Sequence, residues 1–494
     1  MRITLDKSID SYSKFLRIKS LPQYRFQGRT AIFPDEYAQR IVGITSKGAA
    51  GVPYEPHPKM FDYQRDITSL AIDKGAFCMF EDCGLGKTLQ LLDFARHSAR
   101  CLADDKAVLI ISPLMVVKQT MQECERFYNG DMKIDRVKSS DLQEWLTHGK
   151  GRIGITNYEA LNDDVRPGRL GALIVDESSM LKSAYGIWGQ KILELGRGLK
   201  WKLACTGTPA PNDRIEYANH DVFMDAFPTV NSFFARFFVN RGQTDNRWEI
   251  KPHALEPFYR ALSHWSIFLV NPATYGWKDN CGNIPPINVH IHDVPMTQQQ
   301  RDMAGAETGM LLAHHSGGIG SRATLAQIAK GNLHGEAVLT NKPPFIRRLV
   351  DSFIGESTLI WCIYNREQDS MVETFPGAAN ITGDTPQEER QEMIDGFKSG
   401  EIKALISKAK ILGFGLNFQI ATRQVFSGLQ DSYESYYQTV KRSNRYGSTK
   451  PLNVHIPITE IERPMVQTVL DKAHRVQKDT EEQERVFKHA YSRR

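Results

Sequence analysis

The segment that most constrains this chain runs from Glu81 to Thr88 and reads EDCGLGKT. It follows a short apolar run, Ala76 to Phe80, which is typical of a buried strand, and it precedes a helical pattern that starts at Leu89. A glycine-rich loop between a strand and a helix brings backbone N–H groups and the positive end of the helix dipole together. The sequence therefore predicts a phosphate-binding loop within an α/β sheet.

Individual residues of this loop have distinct predicted roles. Gly84 and Gly86, on either side of Leu85, let the backbone close on a phosphate group. The Lys87 ammonium can reach the β- and γ-phosphates, and the Thr88 hydroxyl can hold Mg²⁺. These five residues are predicted to bind ATP and Mg²⁺, although an acid replaces the first glycine of the general motif.

A second apolar run, Leu173 to Val175, ends in two acids, Asp176 and Glu177. Desolvated carboxylates cost free energy, so a buried strand does not end in an acid pair for stability. Downstream of a phosphate loop, we expect Asp176 to hold Mg²⁺ and Glu177 to polarise the attacking water. The alternative is that the two acids simply begin a solvated loop.

Three polar residues near the C-terminus, Gln438, Arg442 and Arg445, are offset by four and three positions. These offsets predict that all three share one face of a helix. An arginine pair can stabilise the charge that develops on a γ-phosphate during hydrolysis. From the spacing alone, however, a solvated basic helix face is the better explanation.

The order of apolar runs predicts the architecture. Short β-rich runs alternate with amphipathic stretches in both halves of the chain, which favours parallel sheets with helices on both faces. The region between the halves is aromatic, with helical spacing. We therefore predict an α/β protein with four segments: a basic N-terminal extension (1–57), a first lobe (58–225), a mostly helical insertion (226–340), and a second lobe with a terminal helix (341–494).

Charge and composition exclude several classes of protein. The net charge is only +5, but residues 1–30 hold seven Lys/Arg against two Asp, which is compatible with either a solvated surface or a nucleic-acid contact. The longest apolar run, Ala107 to Val117, is far shorter than the ~20 residues of a membrane span. The seven cysteines contain no CxxC pair, which argues against a disulfide framework or zinc site. We expect a cytoplasmic protein without membrane contact.

Nine segments of the sequence, in this order, resemble the helicase motifs of superfamily 2. The resemblance is strongest to the Swi/Snf-type branch of DNA-dependent ATPases, and the compact form is similar to helicase-like proteins of bacteriophages and prophages. It covers Phe61 to Pro457. The segments are EDCGLGKT, ISPLMVV, ITNYEAL, IVDES, CTGTPAPND, TLIWCIYN, ITGDTPQEER, SKAKILGFGLNF and QTVKRSNRYGS.

The resemblance implies further site residues. Phe61, Tyr63 and Gln64 match the segment that holds adenine, with Gln64 reading the base edge and an aromatic ring packing on its face. Gly415 and Gln438 are assigned to the nucleotide site. Positions that match the family's strand-tracking motifs are Ser112, Pro113, Lys118 and Thr156 in the first lobe, and Gly383, Arg390, Ser407, Gly413, Gly415 and Asn417 in the second.

The resemblance also implies an activity. Two RecA-like lobes would hold ATP in the cleft between them, and each hydrolysis cycle would step the protein along DNA. The alternatives are a strand-separating helicase, or a non-hydrolysing clamp or assembly factor that only binds ATP. The expected polymer is duplex DNA, with single-stranded DNA as the alternative. The expected protein partners belong to phage or host replication, recombination or modification, in the cytoplasm of a bacterial host.

Overall fold

The computed structural model describes residues 1–6, 9–19, 21, 23–37, 41, 52–183, 185–242, 248–279, 284–305, 319–412, 417–429, 432–445 and 447–491. The chain forms two compact units: unit 1 comprises Met1–Asn280 and Gln477–Arg494, and unit 2 comprises Cys281–Val476. This division differs from the predicted boundaries at 225 and 340. The reason is that two strands of the predicted insertion complete the sheets of the two units.

Unit 1 is built on a seven-stranded parallel sheet with the order β7-β1-β6-β5-β2-β4-β3. The central strands are buried along most of their length, as expected for strands covered by helices on both faces. The strands are β1 (Ala76–Glu81), β2 (Ala107–Ser112), β3 (Asp135–Arg136), β4 (Ile153–Asn157), β5 (Leu170–Asp176), β6 (Trp201–Thr206) and β7 (Ser266–Leu269).

The helices of unit 1 alternate with these strands, which is the connection that parallel strands require. A continuous apolar cluster packs helices against the sheet, and further buried apolar side chains, such as Ile110 and Ile174, lie outside this cluster. The helices that surround the sheet are Asp62–Lys74, Lys87–Cys101, Leu114–Tyr128, Leu142–His148, Ile187–Gly196, Ala218–Phe223, Val230–Phe237 and Leu255–Leu262.

The basic N-terminal segment folds into a small module of unit 1. Strands Arg2–Thr4, Arg25–Gln27 and Thr30–Ile32 form an antiparallel sheet, and helix Ile9–Lys19 packs against it. The module has its own core, which includes Ile18. Its basic side chains Arg2, Arg17, Lys19 and Arg29 are exposed. Both interpretations of the sequence, a solvated surface and a nucleic-acid contact, are compatible with this folded element.

The aromatic residues that follow lobe 1 extend the core of unit 1. Phe233, Phe237 and Phe258 are fully buried, and their ring centroids lie 5.5–6.0 Å apart. The rings therefore stabilise the fold and are not available as stacking platforms for bases. A short hairpin of Phe238–Asn240 and Trp248–Ile250 completes this region.

Unit 2 is built on a six-stranded parallel sheet with the order β8-β13-β12-β9-β11-β10. The prediction of an α/β protein with two parallel-sheet lobes and helices inserted between them is therefore confirmed. The strands are β8 (Ile287–Asp293), β9 (Ser357–Cys362), β10 (Ala379–Ile381), β11 (Ala404–Lys408), β12 (Ala421–Phe426) and β13 (Leu452–Ile458).

Helices again connect the strands of unit 2. Helix Ile319–Ala329 and a two-residue hairpin, Asn332–Leu333 with Glu336–Ala337, precede the regular alternation. The helices of the unit are Ile319–Ala329, Lys342–Asp351, Asn365–Thr374, Gln387–Ser399, Ala409–Leu412 and Tyr433–Val440.

A buried ion cluster ties the first elements of unit 2 to its last strand. The Lys342 ammonium lies 2.7 Å from a carboxylate oxygen of Glu462, and the Lys330 ammonium lies 3.5 Å from the same side chain. All three side chains are buried, and Lys342 also donates to the Ser427 carbonyl. Because a desolvated charge is tolerated only when it is paired, the cluster fixes these elements together.

The terminal helix, Arg463–Tyr491, begins in unit 2 and ends in unit 1. Val466 and Val469 belong to the core of unit 2, whereas Val486 and Phe487 belong to the core of unit 1. Across the described residues, the structure contains no helix that is both long and apolar enough to span a membrane.

Candidate functional site

The predicted phosphate loop lies between β1 and helix Lys87–Cys101. Gly84 and Gly86 both have positive φ, at +94° and +76°, and Gly86 is the N-cap of the helix. A Cβ atom at Gly86 would lie 2.4 Å from Nε2 of Gln64. The position thus requires glycine for two independent reasons, its left-handed backbone and the close approach of a side chain.

Gln64 and Tyr63 hold the loop from the preceding helix. The Gln64 amide donates to the carbonyls of Leu85 (2.9 Å) and Gly86 (3.4 Å), and its Oε1 accepts from the Phe61 backbone N–H. The Tyr63 hydroxyl also donates to Leu85 O (2.8 Å). In this structure, Gln64 is therefore committed to the loop, whereas the resemblance implied a contact with the base edge. Phe61 is the neighbouring aromatic at the surface.

The Lys87 ammonium lies close to several acidic groups. Its ammonium donates to the backbone carbonyls of Glu81 (2.8 Å) and Asp82 (3.0 Å). Burial acts to lower the pKa of Lys87, but the nearby Cys83, Glu177, Glu81 and Asp82 outweigh burial and raise it. The lysine is thus held as a cation at the mouth of the loop, which suits contact with a polyphosphate.

Glu81 is a buried acid beneath the phosphate loop that was not among the predicted site residues. Its side chain is fully buried and accepts a hydrogen bond from Gln90 Nε2 at 2.7 Å. Burial raises the pKa of Glu81 to about 7, against the opposing effects of the Lys87 charge and the Gln90 hydrogen bond. The sequence shows an acid at this position of the motif, but it does not show that the side chain is buried.

The acid pair lies at the carboxyl end of β5, in the same unit. Asp176 accepts from Ser112 Oγ (3.0 Å) and from the Glu177 backbone N–H (3.0 Å). Burial and the charge of Glu177 raise the pKa of Asp176 to about 6, while Ser112 and Lys87 act to lower it. Carboxylates and Lys87 converge here because parallel strands end at a common edge of the sheet.

Glu177 has an uncommon backbone conformation for a residue with a side chain, with φ +49° and ψ +51°. Its Oε2 accepts from the Thr206 hydroxyl at 3.5 Å. The Tyr158 hydroxyl donates to the carbonyl oxygens of Asp176 (2.7 Å) and Glu177 (3.2 Å). Left-handed backbone of this kind persists only where its surroundings fix it, and it is found preferentially at functional sites.

The next residues of the acidic segment form a buried polar contact. Ser178 Oγ and His220 Nε2 are 2.9 Å apart, and both side chains are fully buried. Burial lowers the pKa of His220 to about 4, so the imidazole is neutral at physiological pH. The contact anchors the turn that follows Glu177 to helix Ala218–Phe223.

The predicted magnesium ligands fit a hard divalent cation. The Asp176 carboxylate supplies oxygen ligands at the sheet edge, and burial and the neighbouring charge of Glu177, which together raise its pKa, would both be offset by a bound cation. Thr88 lies directly after Lys87 in the first turn of the helix and is half-buried. Hydroxyl and carboxylate oxygens are ligands that Mg²⁺ accepts in proteins.

Two predicted nucleic-acid residues of the first lobe are buried. The Ser112 hydroxyl is committed to Asp176, and the Thr156 hydroxyl donates to Val137 O (2.9 Å) inside the sheet. Both hydroxyls are thus committed within unit 1, and the contact of these residues with a DNA strand stays a prediction. Pro113 is half-buried and Lys118 is exposed, so both are placed where a ligand can reach them.

The residues of unit 2 that match the strand-tracking motifs also include both buried and exposed positions. Ser407 is fully buried, and its hydroxyl donates to Ile381 O (2.8 Å), so its contact with nucleic acid stays a prediction. Gly383 is exposed, and the Arg390 guanidinium donates to its carbonyl and to two neighbouring carbonyls, which fixes the loop. Gly413 and Gly415 lie outside the described residues.

The three polar residues near the C-terminus do not share one helix face. Helix Tyr433–Val440 contains Gln438, which donates to Glu434 (3.4 Å), but it ends before Arg442 and Arg445. The intervening side chains bind elsewhere. Gln424 donates to Ser443 Oγ (2.8 Å), and Asn444 donates to the Pro285 carbonyl (2.7 Å). These contacts pull the chain into turns, in which Arg442 is buried and Arg445 donates to Asn417.

The chain is similar to two protein-family models and to several known proteins. Residues 68–339, more than half of the chain, match the SNF2-related domain, and residues 341–447 match the helicase conserved C-terminal domain. A bovine protein named DNA annealing helicase and endonuclease ZRANB3 is 21% identical over 82% of this chain and 39% of its own length. The Zorya protein ZorD of Escherichia coli is 22% identical over 81% of this chain and 42% of its own length.

A solved structure is also similar. The SWI2/SNF2 ATPase core of Sulfolobus solfataricus in complex with dsDNA is 20% identical, with a TM-score of 0.41, over 83% of this chain and 89% of that one. The chain spans about two-fifths of the length of the curated relatives it matches. The matched domains include the phosphate loop, the acid pair and both arginines, whereas Phe61 and Gln64 lie just before the first matched residue. The chain belongs to the family of proteins with an SNF2-related domain.

Proposed function

We propose that this protein is a DNA-dependent ATPase that couples ATP hydrolysis to translocation along duplex DNA or to its remodelling. One observation carries the proposal: the Lys87 ammonium, the Asp176 carboxylate and the Glu177 carboxylate lie together at the edge of one sheet, beside a loop that requires glycine at position 86. The membership in the SNF2-related family supports the choice of DNA as the polymer.

The chain's own residues account for binding and activation. The loop backbone and Lys87 would hold the phosphates, with Phe61 packing on adenine and Thr88 and Asp176 holding Mg²⁺. The metal would supply charge neutralisation of the phosphates. Glu177 would accept a proton from the attacking water, with its carboxylate oriented by Thr206. Gln438, Arg442 and Arg445 of unit 2 would complete the site around the γ-phosphate.

DNA is proposed to lie along the exposed parts of the tracking motifs, which include Pro113, Lys118 and Gly383. The name of one relative, a DNA annealing helicase and endonuclease, supports DNA as the polymer. Contacts with phage or host replication, recombination or modification proteins, and the cytoplasmic location, stay predictions.

The experiment that tests the proposal is a steady-state ATPase assay with no polymer, duplex DNA, single-stranded DNA or RNA. We expect stimulation by duplex DNA, and we expect Glu177→Gln to bind ATP but turn over at least ~100-fold more slowly, the scale of a lost general base. Wild-type turnover by Glu177→Gln would contradict the assigned role of Glu177. Absence of stimulation by any DNA would contradict the proposed function.

The same protein preparation separates the alternatives. A duplex translocase displaces the third strand of a triplex and leaves a forked duplex paired. Unwinding of the fork would support a strand-separating helicase. ATP binding without measurable hydrolysis would instead support a clamp or assembly factor. The presence of both carboxylates, Asp176 and Glu177, at the end of β5 favours hydrolysis over simple binding.

A further inference from the structure

One strand of the unit 2 sheet is open along its outer edge. Strand β8 lies at the end of the strand order and pairs on its inner side with β13, in a continuous parallel register from Ile287–Leu452 to Asp293–Ile458. Among the residues that the structure describes, no strand pairs with the outer side of β8. Backbone N–H and C=O groups along such an edge form a template for another strand.

The other edges of the two parallel sheets are short or covered. β3 has two residues and β10 has three, and β7, with four residues, is buried. β8 has seven residues, of which five are exposed. Its sequence, INVHIHD, contains neither the lysine nor the proline that often protects an edge strand. Of the edge strands described in these two sheets, β8 is therefore the one best suited to pair with another chain.

The direction of the backbone groups along β8 follows from the hydrogen bonds at its two ends. The Leu452 N–H donates to Pro286 O (3.1 Å), and the Val294 N–H donates to Ile458 O (2.8 Å). The even-numbered residues thus direct their N–H and C=O groups towards β13. Because these groups alternate between the two sides of a strand, the odd-numbered residues of β8 direct theirs outwards.

The strand is complementary to a reversed copy of itself. When a second copy is turned about His290, Val289 of each copy lies opposite Ile291 of the other. Both positions direct their backbone groups outwards, so each such pair exchanges two hydrogen bonds, and the aliphatic side chains meet on one face. Val289 and Ile291 are 41% and 44% exposed in the single chain, and this contact covers them.

The other positions of this register are compatible with the pairing. Ile287 lies opposite Asp293, whose carboxylate is already paired with Arg463 of its own chain at 2.5 Å. His290 lies opposite itself, at a pair of residues that exchange no hydrogen bonds. Its ring is exposed on that face and stacks on His455, with centroids 4.8 Å apart.

From this geometry, we propose that β8 is an interface between two copies of this chain, which pair antiparallel about His290. The contact joins the two unit 2 sheets into one sheet, with six strands from each copy. A second copy fits better than a strand of another protein because β8 supplies its own complement in hydrogen bonds and in aliphatic side chains, as a two-fold contact requires. The contact is one strand wide, so the dimer is weak. The inference is independent of the proposed ATPase function.

The first test is sedimentation velocity of the full chain, without nucleotide or DNA, as its concentration is raised through the micromolar range. We expect wild type to shift from monomer to dimer. Ile291→Lys should weaken the association at least ~10-fold, because each dimer loses two apolar contacts and gains two charges at the paired edge. Ile354→Lys is the matched control, since Ile354 is 91% exposed in the same unit and lies outside β8.

The second test uses single cysteines to determine the register. At position 290, the two Cα atoms lie ~4.5 Å apart in the proposed pairing, within the ~4.4–6.8 Å that a disulfide spans. At position 288, the two copies are four residues apart along the strand, which is ~13 Å. With diamide as the oxidant, we expect His290→Cys to form a covalent dimer. Asn288→Cys, the matched control, and wild type, which contains the native cysteines, should stay uncrosslinked.

Each outcome decides the inference. A wild type that stays monomeric overturns it and leaves β8 to a strand of a different protein. Equal association of Ile291→Lys and Ile354→Lys overturns the interface at β8, and crosslinking of Asn288→Cys in preference to His290→Cys overturns the pairing about His290. If Ile291→Lys lacks the cooperative thermal transition of wild type, Val289→Lys, on the same face, replaces it, and equal association of Val289→Lys and Ile354→Lys overturns the inference.

Discussion

The buried acid at the end of β1 predicts an unusual dependence of stability on pH. Glu81 is fully buried, and burial raises its pKa from 4.5 to about 7 although Lys87 and Gln90 lower it. Because the folded-state pKa is raised, its contribution to stability is present in full below the unfolded pKa. That contribution is lost as the pH rises through about 7.

The magnitude follows from the size of the pKa shift. A shift from 4.5 to about 7, at 1.36 kcal/mol per pKa unit, corresponds to about 3 kcal/mol lost over that range, of which about 2–3 kcal/mol falls between pH 5 and pH 8. Glu81→Gln has no proton to lose. We therefore expect the variant to gain stability relative to wild type as the pH rises, by up to that amount.

The assay is thermal unfolding of wild type and Glu81→Gln at pH 5 and pH 8, without nucleotide. A difference of 2–3 kcal/mol corresponds to a relative rise in Tm of roughly 3–5 °C for a unit of this size. Glu144→Gln, at an exposed position of helix Leu142–His148, is the control, because a solvated carboxylate loses little hydration on folding. An equal Tm difference at both pH values would refute the reasoning, since it would mean that burial does not penalise the Glu81 charge.

Two further substitutions test the loop and the arginines. Gly86→Ala should weaken ATP binding at least ~10-fold in a titration, because a Cβ atom at this position would lie 2.4 Å from Gln64 Nε2. Gly130→Ala is the control. Gly130 has a similar φ, but a Cβ atom there would meet no other atom within 4 Å, so ATP binding should stay intact. Retained binding by Gly86→Ala would show that the loop can shift away from Gln64. Arg445→Ala should lower DNA-stimulated turnover by ~10³-fold with ATP binding retained, the scale of a lost arginine finger. Arg463→Ala, which removes an exposed arginine paired with Asp293 in the same unit, is its control, and equal turnover in the two variants would contradict the assignment.

The elements that can be predicted from the sequence are those whose pattern lies within a few consecutive residues. Strands β1, β2 and β5 are continuous apolar runs, and Lys87, Asp176 and Glu177 follow the ends of such runs. Their proximity follows from the geometry of parallel sheets alone. The alternating pattern of β8 is a strand signal that the sequence analysis does not use, and the strand lies at the sheet edge with even Val289 and Ile291 exposed.

The features that sequence reasoning could not place depend on distant partners. The hydroxyls of Ser112, Thr156 and Ser407 face inward because of carbonyl or carboxylate acceptors that lie on other strands. The offsets of Arg442 and Arg445 are compatible with a helix as well as with turns. The residues between them bind a distant strand and a distant loop, and these contacts favour turns over a continued helix. Tyr158 had a signal in the sequence, since it directly follows a strand that ends at the same edge as the acid pair.

The terminal helix has a consequence for the order in which the protein is made. The Arg214 guanidinium pairs with Asp479, Gln483 donates to the Tyr217 hydroxyl, and Phe487 fills part of the unit 1 core. All of unit 2 is synthesised between residue 280 and these partners. During synthesis, the part of the unit 1 core that Phe487 covers therefore stays exposed until unit 2 has been made. A nascent chain that stalls before residue 477 would be the form of this protein most exposed to chaperones and proteases.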